Sequence, residues 1–244
     1  MKLCVLVCAI VAATESVKLP SNFKTCNRKQ ANFRGCLLQA ARHALTQLNR
    51  PYDDLKMPTL DPLYVKRIET SVHTLLFNVT SELTECQLYN LLHLNVEQFD
   101  VDFEGKTIQM SAYWPYQKSR CFFKNAGQIL FTDVIAEGVV DITYKNLKWT
   151  FNLEYEEARK GNKTYVQLSD SSFDAQPEDV IFELVRVRRG DKSLVRSVIR
   201  AINNNWRDIF ELVKDVYLEK SRTDWLEIFS GFFSEVSLEE AFDN

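Results

Sequence analysis

Between Asp191 and Tyr217 the chain carries an apolar stripe at helical period. Leu194, Val198, Ile202, Trp206 and Phe210 recur at a spacing of four. Val195, Ile199, Ile209, Val213, Val216 and Tyr217 fill the adjoining rows. Arg196, Arg200, Asn203, Asn204, Arg207, Glu211 and Lys214 take the other side, so the stretch reads as one amphipathic helix. Asp191 after Gly190 supplies an N-cap, and neither Pro nor Gly interrupts the run. Such a helix is about 40 Å long at 1.5 Å per residue. A stripe of that length needs an extended apolar partner, and most of the earlier chain reads as strands.

Those strands show in period-two alternation. Ile68, Val72 and Leu76 alternate with Arg67, Glu69 and Ser71, and Phe99, Val101 and Phe103 with Asp100 and Asp102. Gly105-Lys106 turns the chain, and Ile108, Met110, Ala112 and Trp114 share one face until Pro115. Further strands are expected over 127–136 and 139–144. The cleanest alternation sets Leu147, Trp149, Phe151, Leu153 and Tyr155 against Lys148, Thr150, Asn152 and Glu154. After a turn at Arg159-Lys160-Gly161-Asn162 the chain returns through 165–168, and a last strand runs over 180–187. Residues 82–93 read as a short helix or an irregular crossover. Helices are expected at 34–48 and from a Thr223 cap through Trp225, Ile228 and Phe229. About eight amphipathic strands with short connections predict an α+β fold, an antiparallel meander coiled around the long helix. No repeat or linker divides residues 17–244, which read as one domain.

Residues 1–16 stand apart. A basic start at Lys2, an apolar run from Leu3 to Ala13 and small residues at Ala12-Ala13-Thr14 form a signal-peptide pattern, with a buried N-terminal helix as the alternative. It predicts a secreted protein without stable membrane insertion. Four cysteines then remain, Cys26, Cys36, Cys86 and Cys121, an even number suited to two disulfides. Cys26–Cys36 is the local pair and Cys86–Cys121 its complement, one of three possible connectivities. Asn78 and Asn162 head N-x-T sequons, and Asn162, in a turn, is the better glycosylation acceptor.

The formal charge of −3 gives no sign of nucleic acid or of an anionic membrane as partner. No metal-ligand spacing, phosphate loop, G-x-S-x-G or H-E-x-x-H occurs, so neither cofactor nor catalysis is expected. What is abundant is aromatic and aliphatic surface on facing elements. Trp114, Phe131, Trp149, Phe151, Phe182, Val198, Ile202, Trp206, Phe210, Phe229 and Phe233 are the candidates to line an apolar tunnel. The plain alternative is that they only pack.

Several stretches resemble the insect juvenile hormone-binding and takeout proteins. They are Leu19-Pro20-Ser21-Asn22-Phe23-Lys24 running to Cys26, Leu60-Asp61-Pro62-Leu63, Gly190-Asp191, and Ile202-Asn203-Asn204-Asn205-Trp206. The resemblance implies a long C-terminal α-helix wrapped by a highly curved antiparallel β-sheet, the half-unit of bactericidal/permeability-increasing-like lipid-binding proteins. It implies a secreted carrier of a terpenoid or other lipid held in an internal tunnel, and it matches Cys26 and Cys36 to the family's N-terminal disulfide. Cys86 and Cys121 have no counterpart in that pattern. The competing expectations are an interaction protein of the same fold with a filled tunnel, acting through its surface on an unknown receptor, and a secreted enzyme.

Overall fold

The computed structural model describes residues 17–73, 77–129 and 132–243. The expected signal segment 1–16 and the tunnel candidate Phe131 lie outside the described residues. The first helix, α1 (Phe33–Gln47), starts where Asn32 accepts a hydrogen bond from the Gly35 amide, and the Cys26–Cys36 disulfide ties its first turn to the lead-in. Seven strands follow: β1 (Leu63–His73), β2 (Phe77–Tyr89), β3 (Asn95–Asp102), β4 (Thr107–Ile129), β5 (Thr132–Lys160), β6 (Lys163–Gln176) and β7 (Asp179–Arg189). The chain ends in α2 (Lys192–Asn204), α3 (Trp206–Glu235) and α4 (Leu238–Phe242).

All seven strands pair antiparallel in one curled sheet of order β1-β2-β4-β5-β6. The two central strands are long enough to take two partners each along one edge. On β4, β3 pairs with the first half and β2 with the second. On β5, β7 pairs with the first half and β6 with the second. The sheet therefore has two halves that share β4 and β5, and the helices lie along its inner side.

The joint between the halves is visible in the backbone. Asn146 adopts the left-handed conformation at φ 44° and adds a residue to the period of β5. Inward residues are Val134, Ala136, Val140, Ile142 and Tyr144 before it, and Leu147, Trp149, Phe151, Leu153 and Tyr155 after it. The expected break between 139–144 and 147–155 is this phase shift inside one continuous strand. Pro115 likewise does not end β4. It sits where β3 pairing has stopped at Tyr113 and β2 pairing has not begun at Lys118, so that edge has no ladder to interrupt.

Three other expectations change. Residues 82–89 are strand, and only Leu91–His93 forms a 3-10 turn. Glu85, at φ 52°, bulges there and brings Cys86 opposite Cys121, and the two are bonded. The long helix is interrupted at Asn205, whose side-chain amide donates to the Ala201 carbonyl. Helix α3 then runs through Thr223, whose hydroxyl donates back to the Glu219 carbonyl instead of capping a new helix. The Asp191 cap is as expected, accepting from the Leu194 amide at 2.8 Å.

Candidate functional site

The space between the inward face of the sheet and the helices is the place where apolar side chains converge. In the half built from β3, β6 and the adjoining parts of β4 and β5, it is filled. Trp149 stacks on Trp114 at a centroid distance of 5.8 Å and on Trp225 of α3 at 6.3 Å. Phe173 of β6 lies 6.0 Å from Trp149 and 5.7 Å from Phe151, and Phe151 meets Phe229 at 5.9 Å. Phe151 and Leu153 have no exposed surface. The Trp114 indole N–H donates to the Leu91 carbonyl at 3.1 Å, whereas the buried Trp149 Nε1 has no partner among the described residues.

The other half, built on β1, β2, β7 and α2, is covered unevenly. The inward residues of β4 and β5 are buried there too, but α2 buries only Val195. Val198, Ile199 and Ile202 are half-buried, as are Ile68, Val72, Val79 and Leu83 across from them on β1 and β2, and Phe182 and Leu184 on β7. Polar side chains also face inward here: Gln117 Nε2 donates to Ser119 Oγ at 3.1 Å, and Ser81 Oγ to Asn125 Oδ1 at 2.7 Å. Where the halves meet, Tyr144 stacks on Tyr217 at 5.7 Å, and burial pushes both phenols up.

The structure thus brings Trp114, Trp149, Phe151 and Phe229 into one cluster. Phe210 belongs to a second, 6.1 Å from Tyr217. Trp206 and Phe182 are half-buried against the core, and Phe233 is buried against Phe232 at 5.3 Å. Trp225 and Phe173 complete the first cluster, though neither was a sequence candidate. Trp225 carried the signal, because it lies on the helical face already read around Phe229.

A concavity lies elsewhere, along the seam where β1 meets α3. It is a cleft of about 870 Å³. Leu63, Val65 and Ile68 form the sheet wall and Val216 and Ile228 the helix wall, with Asp215, Glu219, Asp224 and Glu227 along its rim. None of the ten tunnel candidates among the described residues lines it. A second cleft of about 480 Å³ shares Pro58, Glu227 and Ile228 and extends the trough toward Gly231.

The three histidines sit apart, His43 on α1, His73 on β1 and His93 in a 3-10 turn. No group of His, Cys, Asp and Glu among the described residues is arranged to hold a metal ion. Asn162 is exposed in the β5–β6 turn. Asn78 is exposed on β2, with its Oδ1 2.7 Å from His73 Nδ1.

A family model described as haemolymph juvenile hormone binding protein matches residues 4–243. No curated protein matches. Among solved structures, takeout 1 of Epiphyas postvittana is similar over 90% of this chain and 99% of its own, with a TM-score of 0.74 at 18% identity. A lipopolysaccharide binding protein is similar over 78% of this chain and 39% of its own, with a TM-score of 0.36 at 12% identity.

Proposed function

Because the chain belongs to the haemolymph juvenile hormone binding protein family, we propose that it is a secreted, non-catalytic carrier that holds a small apolar ligand between its sheet and its helices. The observation that supports this most directly is the uneven cover of the interior. Apolar side chains of α2, β1, β2 and β7 face the core yet stay half-buried, which is surface that a ligand can take from water. A ligand burying about 400 Å² would gain about 10 kcal/mol at about 25 cal/mol per Å², offset by the cost of ordering it. The seam cleft, with Ile68, Val216 and Ile228 on its walls, is the route we assign for entry. Two bonded disulfides fit an oxidising compartment, and exposed Asn162 is the glycan acceptor we favour over Asn78.

The test is native mass spectrometry of the protein from a secretory host, together with uptake of an apolar fluorescent probe. We expect a co-purified apolar species and saturable uptake. Absence of both would overturn the carrier reading. It would leave the interaction protein with a filled interior, which the Trp114–Trp149–Trp225 stack favours.

A further inference from the structure

The net charge of the chain conceals a local segregation. Between residues 184 and 204 the cations are Arg186, Arg188, Arg189, Lys192, Arg196 and Arg200, and the one acid is Asp191. All six cations are exposed. They also lie on elements that fold back on each other. Gly190, at φ +99°, turns β7 directly into α2. The Asn203 side chain then bonds both the amide and the carbonyl of Phe182, at 2.8 and 2.9 Å, so α2 runs back along the free edge of β7. Lys192 to Arg200 spans about 12 Å at 1.5 Å per residue, and Arg186 to Arg189 about 10 Å of adjoining strand.

Few acids answer these charges. Arg189 lies 3.5 Å from Glu137. Asp191 is engaged as the α2 cap, and Asp133 accepts from Gln128. Glu183 is exposed on β7, and Asp208 and Glu211 lie beyond the Asn205 break. Arg188 stacks on Phe122, 5.0 Å from the ring centroid. Arg186, Lys192, Arg196 and Arg200 have no acidic partner among the described residues.

The same surface exposes apolar side chains. Ile135 and Val185 are each 50% exposed, and Leu194 39%. Two of them flank the turn: Leu194 bonds the Asp191 cap, and a Cβ on Gly190 would stand 2.5 Å from the Ile135 carbonyl, while Val185 lies farther up β7. Cations ringing exposed aliphatic groups match the headgroup layer of an anionic bilayer, which offers negative charge above and hydrocarbon below. We propose that the β7–α2 tip docks the protein on anionic membrane surfaces, as a peripheral contact. No helix among the described residues is long and apolar enough to cross a membrane. The docking goes beyond the carrier reading and does not depend on it. If both hold, the half of the molecule with the loosest interior is the half presented to the membrane.

The experiment is sedimentation with phosphatidylcholine vesicles, with and without phosphatidylserine. Binding is expected only with phosphatidylserine, and it should vanish near 1 M salt, where the screening length is about 3 Å. The triple variant Lys192→Gln, Arg196→Gln, Arg200→Gln should partition about 100-fold more weakly, at about fivefold per cation near an anionic surface. Lys18→Gln, Lys24→Gln, Lys29→Gln, at the opposite end, should bind like the parent. Both variants should melt with the parent. Failure of the parent to bind anionic vesicles at low salt overturns the proposal, as does equal binding by the tip variant. Retention on a sulfated polysaccharide without vesicle binding would assign the tip to a soluble polyanion and also overturn it. Probe uptake measured without vesicles reports the carrier reading separately.

Discussion

The two halves of the sheet share the same central strands and differ in what covers them. The β3–β6 half is closed by α1, which packs on β3, by the C-terminal part of α3 and by α4, whose Glu239 accepts from the Thr164 amide at 2.9 Å. Its inward strand residues are nearly all apolar, and its three tryptophans form one stack. The β1–β2–β7 half has α2 over it and meets α3 along β1 across an open seam, with polar groups among its inward residues and aliphatic side chains left half-covered. One architecture thus contains a stabilising end and a yielding end. Regions with fewer buried apolar contacts open at lower free energy, so stability and ligand access need not compete for the same residues.

The largest effect that separates the halves is expected at Phe151. Phe151→Ala should cost about 3–5 kcal/mol, because the ring is wholly enclosed. Ile202→Ala, on the half-buried face of α2, should cost well under half as much. Chemical denaturation of the two variants measures the contrast, and equal losses would abolish it.

A second effect concerns the outer face of the yielding half. Asp141 is buried and accepts from Arg120 Nε and Nη2 at 2.7 and 2.8 Å, with Lys118 Nζ also at 2.7 Å. The Arg120 hydrogen bonds hold its carboxyl below the usual carboxylate range, against the opposing effect of burial. A lowered folded value means the contribution is complete above about pH 4 and is lost as pH falls through that lowered value. Asp141→Asn should therefore destabilise by about 2 kcal/mol at neutral pH. The gap from the parent should shrink in acid, which melts across a pH series will show. A pH-independent gap would mean that charge does not support this half.

Trp206 sharpens the boundary. A fully enclosed ring there would make Trp206→Ala as costly as Phe151→Ala. The ring is half-buried, with the Arg207 guanidinium 4.7 Å from its centroid, so about 1–2 kcal/mol is expected, below the range for full burial. A loss in the Phe151 range would extend the closed half along α3 as far as the Asn205 break.

The smallest stability effect carries the most functional information. Val198→Phe should cost less than about 1 kcal/mol if α2 overlies free space, against about 1–3 for overpacking a solid core. It should also abolish probe uptake. A costly substitution in a parent that takes up no probe would make the two halves alike.

The sequence showed the closed half more clearly than the open one, for physical reasons. The run from Leu147 to Tyr155 alternates without exception because every inward position is buried against large apolar groups. In β4 beyond Pro115 the inward positions include Gln117 and Ser119, so the alternation that marks a strand is diluted. In β2 the Glu85 bulge shifts the period between Leu83 and Cys86, which made a strand look like a crossover. The Asn205 interruption has no Pro or Gly to announce it, and its signal was the Asn203-Asn204-Asn205 run, whose amides compete for backbone groups. Trp114, Trp149 and Phe151 lie buried on the inward faces of β4 and β5. Their partners along α3 could not be read, because they depend on how far the helix continues past Thr223.

The distribution of indoles has a spectroscopic consequence. Three of the four tryptophans form a column in which Trp149 stands 5.8 Å from Trp114 and 6.3 Å from Trp225. Transition dipoles that close exchange excitation, so the column should give a near-ultraviolet dichroic couplet and share its emission. Trp206 stands outside the column, beside the Asn205 break. The molecule therefore carries an internal reference and an internal sensor. Loading of the yielding half should move the Trp206 emission while the couplet holds, and unfolding of the closed half should erase the couplet itself.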